Sequence, residues 1–402
     1  MPEEFTIPDG VVEIKNGKFY TEDGSEWEIP EGVTSIKIPD SVTEIGVDAF
    51  EYCSSLTEIK IPDSVTKIGR GAFWHCSSLR EIEIPDSVTK IGDRAFDDCS
   101  SLTEINIPDS VTKIGNDTFW GCSSLTEINI PDSVTKIGVS AFWGCSSLTE
   151  INIPDSVKKI DYHAFHRCSS LTKIKVNSGN QVFRDEDGIL FKGTELRAFP
   201  PGKGTYSYTI PGSVKKIGEG AFAGCSSLTE INIPGSVKEI GYGAFVDCSS
   251  LTEINIPGSV KEIGNSAFAG CSSLTEINVN ARNKLFYDKE GILFEKNILR
   301  SFPAGKGTHT YTIPDSVTKI GDSAFDGCSS LTEINIPDSV TKIGRGAFWW
   351  CSSLREINIP DSVREIVDWA FWGCSSLKRV YAPKNLNLGK AGLSSDVKII
   401  RR

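Results

Sequence analysis

The sequence predicts a solenoid of stacked 23-residue coils, and three observations support this fold class. A phrase close to Ile-Pro-Asp-Ser-Val-Thr-Lys-Ile-Gly recurs twelve times, at steps of 23 residues within each block. Between blocks the step is 57 residues, which leaves 34 for an insertion. The coils and insertions, with two end segments, account for all 402 residues. The repeats begin at Ile38, Ile61, Ile84, Ile107, Ile130, Ile153, Ile210, Ile233, Ile256, Ile313, Ile336 and Ile359.

The apolar residues within one coil predict its elements. At the junction between coils, Leu79, Ile82 and Ile84 form an L-x-x-I-x-I pattern that favours a strand with one buried face. A Val-x-x-Ile pair indicates a second short strand, and the Ala-Phe-x-x-Cys phrase has the spacing of one short helical turn. Since so short a coil cannot bury its own apolar face, it must stack on its neighbours.

The segments outside the coils divide the chain further, although we expect one continuous solenoid domain. The insertions 176–209 and 279–312 resemble each other, and Asp187-Gly188 and Glu290-Gly291 predict tight turns of hairpins. Asn16-Gly17 predicts a hairpin near the start of the chain. The predicted organisation is an N-terminal cap at 1–37, six coils at 38–175, an insert at 176–209, three coils at 210–278, an insert at 279–312, three coils at 313–381 and a C-terminal cap at 382–402.

Composition excludes several classes of function. The chain has 53 acidic and 42 basic residues, so its net charge of −11 argues against a nucleic-acid partner. No apolar run is long enough to insert into a membrane, and the first ten residues have no features of a signal peptide. The phrases at Gly202-Lys203 and Gly305-Lys306 do not meet the requirements of a phosphate-binding loop. Nothing in the sequence indicates a cofactor, and we expect no enzyme activity.

The numbers of cysteines and glutamates reflect the number of repeats, because each recurs at a fixed position of the coil. All 12 cysteines occupy the same position of the coil, which predicts a column of buried free thiols with neither disulfides nor a metal site. A glutamate column includes Glu58, Glu81, Glu104 and Glu127. We interpret it as a solvated strand face, with weak divalent-cation binding as the alternative and a carboxylate hydrolase as a distant one.

At this point the residues resemble a known family. Leu79-x-x-Ile82-x-Ile84 matches the strand pattern of leucine-rich repeats, and the I-G-x-x-A-F-x-x-C and D-G-I-L-F phrases look like the BspA-like class. The resemblance spans about 5–381 and implies a right-handed solenoid, a non-catalytic role in adhesion or partner binding, and a cell-surface or secreted location. Ser87 stands where many leucine-rich repeats have asparagine, so an asparagine ladder is not predicted.

The coils differ from one another mainly at the two positions before Ala-Phe and the two after it. The first position after Phe holds both Asp and Trp among the coils, which predicts exposure, because an unpaired buried carboxylate is costly. Exposed Trp, Tyr and His are typical of binding hot spots. The predicted partner-binding residues are Trp74, His75, Trp120, Trp143, Tyr162, His163, His166, Trp349, Trp350, Trp369 and Trp372.

These residues leave three interpretations of the aromatic column open. It binds a protein or glycan partner, which is the favoured hypothesis; it packs down as an edge of the core; or it mediates self-association. A different class of function is a structural or synthetic consensus-like repeat scaffold without a native ligand, which the close similarity of the coils would also produce.

Overall fold

Two ladders of parallel strands organise the chain. The computed structural model describes residues 4–402, which divide between Lys203 and Gly204 into two units. In both units a residue pairs with the residue 23 positions later, as Lys113 pairs with Lys136. The wide ladder contains strands of three or four residues, and the narrow ladder contains strands of two residues. The period predicted from the sequence is therefore confirmed, whereas the continuity of one domain stays a prediction.

In the first unit, the wide-ladder strands are Glu4–Thr6, Ser35–Lys37, Glu58–Lys60, Glu150–Ile153 and Lys173–Val176. The narrow-ladder strands are Glu44–Ile45, Lys67–Ile68, Lys90–Ile91, Lys113–Ile114, Lys136–Ile137 and Lys159–Ile160. The remaining strands belong to the cap and the insert: Val11–Lys15, Lys18–Thr21, Glu26–Glu28, Arg184–Glu186, Ile189–Lys192 and Glu195–Ala198.

In the second unit, the wide-ladder strands are Ser207–Thr209, Glu230–Asn232, Glu253–Ile256, Glu276–Val279, Thr310–Thr312, Glu333–Asn335, Glu356–Asn358, Arg379–Ala382 and Lys398–Arg401. The narrow-ladder strands are Lys216–Ile217, Glu239–Ile240, Glu262–Ile263, Lys319–Ile320, Lys342–Ile343 and Glu365–Ile366. The insert contributes Phe286–Lys289, Ile292–Glu295 and Ile298–Ser301, followed by the 3-10 helix Ala304–Lys306.

The predicted hairpins are present. Asp187 and Gly188, both with positive φ, connect two antiparallel strands in the first insert. Glu290 and Gly291 do the same in the second insert. Asn16 and Gly17 form the corresponding turn in the cap. Two successive positive φ values match the twist of a tight hairpin, which is why Asp-Gly and Asn-Gly are good predictors of it.

The predicted helical turn is wrong: residues 4–402 contain no α-helix, and the Ala-Phe-x-x-Cys segment is a series of turns. In one coil Gly71 immediately precedes this segment and His75 lies within it, and both have positive φ, which a right-handed helix cannot accommodate. In addition, the Phe73 N–H donates to the Ala95 carbonyl of the next coil at 2.8 Å. The backbone hydrogen bonds of this segment therefore run partly between coils and partly within turns, as from the Cys76 N–H to the Phe73 carbonyl at 3.1 Å.

Phenylalanine rings form the centre of the core. Phe73 and Phe96 are fully buried, and their ring centroids lie 5.3 Å apart at an interplanar angle of 2°. Ser87 bonds between coils, since its Oγ donates to the Val65 carbonyl at 2.6 Å. Each coil thus presents the same apolar and polar groups to the next, and the stack extends by repetition.

Candidate functional site

The variable positions lie on the turn segment around Ala-Phe, where the backbone is unusual. Two of the four columns have positive φ in all twelve coils, and 10 of their 24 residues are glycines. Trp350 has a φ of 58° and Trp369 a φ of 63°, in a region where bulky residues are uncommon and strained. Gly224 and Gly220 occupy the same columns in another coil. A large aromatic residue at such a position is therefore not required by the turn itself.

The aromatic residues of the earlier coils mostly pack on one another. Trp120 and Trp143 are stacked, with ring centroids 4.6 Å apart and an interplanar angle of 2°. His75 stacks on Tyr52 at 4.9 Å, and the Arg94 guanidinium lies 4.9 Å from the Trp74 ring. Trp74, His75, Trp120, Trp143 and His163 are all half-buried.

The predicted exposure is wrong for His166, which is only 2% exposed. The Trp143 ring lies over it, with ring centroids 3.8 Å apart, because coils stack so closely that each ring covers the next one. Among the predicted residues of these early coils, only Tyr162 is exposed. The same reasoning fails at Asp97, which is buried but accepts a hydrogen bond from Arg94 at 2.8 Å.

The last two coils are different, because their tryptophans face solvent. Trp349, Trp350, Trp369 and Trp372 are between 39% and 56% exposed. The rings of Trp369 and Trp372 meet edge to face, with centroids 5.5 Å apart. The four tryptophans are close in sequence and share one turn face, which makes them the largest exposed aromatic group in residues 4–402.

A groove of about 1080 Å³ runs beside three of these rings. We call it the terminal groove and define it by Trp350, Trp369, Trp372, Lys390, Ile399 and Arg401, which lie along it. Its second wall comes from the C-terminal cap. Gly392 has a φ of 75°, and a Cβ there would lie 3.2 Å from the Trp369 Cα, so glycine permits the close approach of the cap.

Sequence reasoning missed this second wall. The cap segment that contributes Leu388, Leu393, Val397 and Ile399 is not part of any repeat, so no comparison between coils could single it out. The available signal was the strand-like Val-Lys-Ile-Ile sequence near the C-terminus. This sequence, 397–400, overlaps the observed strand Lys398–Arg401, but it does not indicate that Ile399 stays 41% exposed beside the tryptophans.

The glutamate column lines a second, polar groove of about 770 Å³ on the wide ladder of the first unit. Its residues include Glu58, Glu81, Glu104 and Glu127, with Lys60 beside them. Within residues 4–402, no group of three or more His, Cys, Asp or Glu side chains is arranged to hold a metal ion.

Burial raises the pKa of three carboxyl groups among residues 4–402, Asp97, Asp117 and Asp326, and the nearby Arg94 opposes the shift of Asp117. Burial raises the pKa of Asp97 to about 6, although Arg94 opposes this shift. Burial raises the pKa of Asp326 to about 7, and the charge of Asp247 adds to the effect. Asp326 accepts the Gly270 N–H at 2.8 Å. Since none of the three carboxyl groups lines the terminal groove or the polar groove, none is placed to act on a ligand there.

The cysteine column is a ladder of free thiols, as predicted. All 12 cysteines are unpaired with one another and all except the half-buried Cys53 are buried. The Cys145 Sγ donates to the Phe119 carbonyl of the preceding coil at 3.2 Å, and most of the column repeats this contact. Burial raises the pKa of Cys168 to about 12, so these groups stay protonated thiols and poor nucleophiles.

Comparison with known proteins agrees with this architecture. The family model described as the BspA type leucine rich repeat region (6 copies) matches residues 31–148, 89–200, 197–302 and 296–395. A leucine rich cell surface protein from Faecalibacterium prausnitzii is 26% identical, with a TM-score of 0.50 over 99% of this chain and 89% of its own. A leucine-rich repeat protein from Eubacterium ventriosum is 24% identical, with a TM-score of 0.54 over 93% of this chain and 96% of its own. No curated protein gives a significant match. Among residues 4–402, no helix has the length and apolarity needed to cross a membrane.

Proposed function

Because the chain belongs to the family of BspA-type leucine-rich repeat proteins, we propose that it is a non-enzymatic protein that binds a protein or glycan partner, as an adhesin, at a cell surface. The observation that carries this proposal is the exposure of Trp349, Trp350, Trp369 and Trp372 beside the terminal groove. The description of the Faecalibacterium prausnitzii structure as a cell surface protein supports the location.

The physical basis is the free energy gained when these rings lose water. An aromatic side chain buries about 150–250 Å² at most, so the half-exposed rings together offer roughly 400 Å² of apolar surface to a partner. Exposed patches of that size on a monomer are often functional. The invariant coils hold the rings in place, so that little conformational entropy is lost when a partner binds.

The chain itself supplies a matched variant for the test. Replacing the four tryptophans by the residues of the 220–224 coil gives Trp349→Ala, Trp350→Gly, Trp369→Gly and Trp372→Ala. The two glycines are compatible with the positive φ at their positions. A control variant, Trp120→Ala with Trp143→Ala, removes a stacked pair in the first unit.

Binding should be measured against immobilised extracellular-matrix proteins, serum proteins and glycans, with the parent chain and both variants. Loss of hot-spot rings typically costs 2 kcal/mol or more of binding free energy. The variant with all four substitutions, the four-fold variant, should therefore bind at least about 30-fold more weakly than the parent chain. The control variant should bind like the parent chain. Equal binding by the parent and the four-fold variant would contradict the proposal. A parent chain that binds no member of the panel would also contradict it, and that is the result expected of a repeat scaffold without a ligand.

A further inference from the structure

An exposed strand near the start of the chain has the properties of a ligand. The strand Glu26–Glu28 pairs with Lys18–Thr21 and is the end strand of its sheet. All three of its residues are exposed, and Trp27 is 44% exposed. A large indole on an edge strand is unusual, because such a strand invites pairing with another chain. Glu26 and Glu28 flank the indole, and Lys18 donates to Glu26 at 2.9 Å, so the three charges together leave a net negative charge beside Trp27.

The terminal groove has the complementary properties. It is lined by Trp350, Trp369 and Trp372, and by Lys390 and Arg401. The cap 382–402 contains five basic residues and one acidic residue, in a chain whose net charge is −11. By contrast, residues 1–37 contain nine acidic and three basic residues. The two caps therefore carry opposite charges, and opposite charges across an interface favour one pairing over others.

The groove and the exposed strand each also offer a strand edge that is free to pair with another chain. The strand Lys398–Arg401 ends its sheet, since it pairs only with Arg379–Ala382 among the described strands. Ile399 of this strand lies along the groove and is exposed. An edge strand with apolar pockets beside it is a recurrent site for the addition of an extended segment.

We propose that the terminal groove of one molecule binds the Glu26–Glu28 strand of a second molecule of this chain. Trp27 enters between the groove tryptophans, and Glu28 lies near Lys390. The two surfaces are different, so the contact is heterologous, and in a dimer one molecule keeps a free groove while the other keeps a free strand. Self-association through this contact therefore continues beyond a dimer. It requires no foreign partner, and so goes beyond the binding function proposed above.

Mixing two variants tests this contact. Trp27→Ser removes the ligand and leaves the groove, whereas Trp369→Gly with Trp372→Ala removes the groove and leaves the ligand. By sedimentation velocity at increasing concentration, the parent chain should form species above twice its mass of 43.8 kDa. Each variant alone should stay a monomer. Their equimolar mixture should form a dimer and nothing larger, because one free strand meets one free groove.

A charge exchange gives a second test that leaves every tryptophan in place. Glu28→Lys alone and Lys390→Glu alone should each weaken self-association about tenfold, because each brings like charges together. The chain carrying both substitutions should recover it, and added salt should weaken the parent contact.

Several results would overturn the proposal: a parent chain that is monomeric at all concentrations, self-association that survives Trp27→Ser, or a mixture of variants that stays monomeric. Binding of an unrelated acidic peptide to the groove of a chain that stays monomeric would do so too. The Trp27→Ser variant should still bind the partners found on the panel described above, so failure of this inference and failure of the proposed function are distinguishable.

Discussion

The stacked phenylalanines predict a specific cost for removing one ring. Phe119 is fully buried, and its ring centroid lies 5.7 Å from that of Phe96 and 5.5 Å from that of Phe142. Replacing it by alanine removes the transfer free energy of the ring and leaves a cavity, which together cost about 3–5 kcal/mol for a buried Phe. The two lost stacking contacts, each worth about 0.5–1.5 kcal/mol, place Phe119→Ala near the upper end of that range.

The assay is urea unfolding of the parent, Phe119→Ala and Phe119→Leu. Leucine keeps most of the buried apolar area and loses only the stacking, so it should cost about 1–2 kcal/mol. Hydrogen exchange should place the lost protection in the coils next to Phe119, since each coil contacts its neighbours only. A cost below about 1 kcal/mol for Phe119→Ala, or uniform loss of protection, would refute the idea that ring stacking carries the stability of the coils.

Two further predictions concern titratable groups. Because burial raises the pKa of Asp326 to about 7, the folded state holds this proton more tightly than the unfolded chain, and the stability due to this carboxyl falls as pH rises from about 4 to 7. Asp326→Asn should therefore raise the free energy of unfolding by about 1–2 kcal/mol at pH 7.5 and leave it nearly unchanged at pH 4, as urea titrations at both pH values would show; a loss of stability at pH 7.5 would contradict this. Burial also raises the pKa of the thiols, to about 11 even for the half-buried Cys53. A thiol reagent at pH 7 should thus label less than one thiol per native chain within minutes and all 12 after unfolding, and rapid labelling of several native thiols would show that the column is accessible.

Features shared by every coil could be predicted from the sequence. The cysteines, the phenylalanines and the inward-facing isoleucines repeat in one environment, so their burial follows from the period alone. The helical turn could not be predicted, because the positive φ beside Ala-Phe is visible only where a coil has glycine there. Coils with His75 or Trp369 at these positions hide it.

Exposure at the variable positions depends on the neighbouring side chains, which the residue types in one column do not show. His166 is buried because Trp143 happens to precede it by one coil, and Asp97 because Arg94 is in reach. In the last coils the same column faces solvent. The second wall of the terminal groove comes from a segment without repeats, so its position depends on how the cap folds back at Gly392.

The 23-residue register of the ladders has a mechanical consequence. The hydrogen bonds between neighbouring coils point along the direction in which coils are added, so a force pulling on one end of a unit loads only the bonds of the outermost coil. Such a unit would yield by peeling, and each 23-residue coil would release about 80 Å of extended chain. Under force, such a unit would therefore lengthen in a series of small, equal steps rather than unfold in one abrupt event.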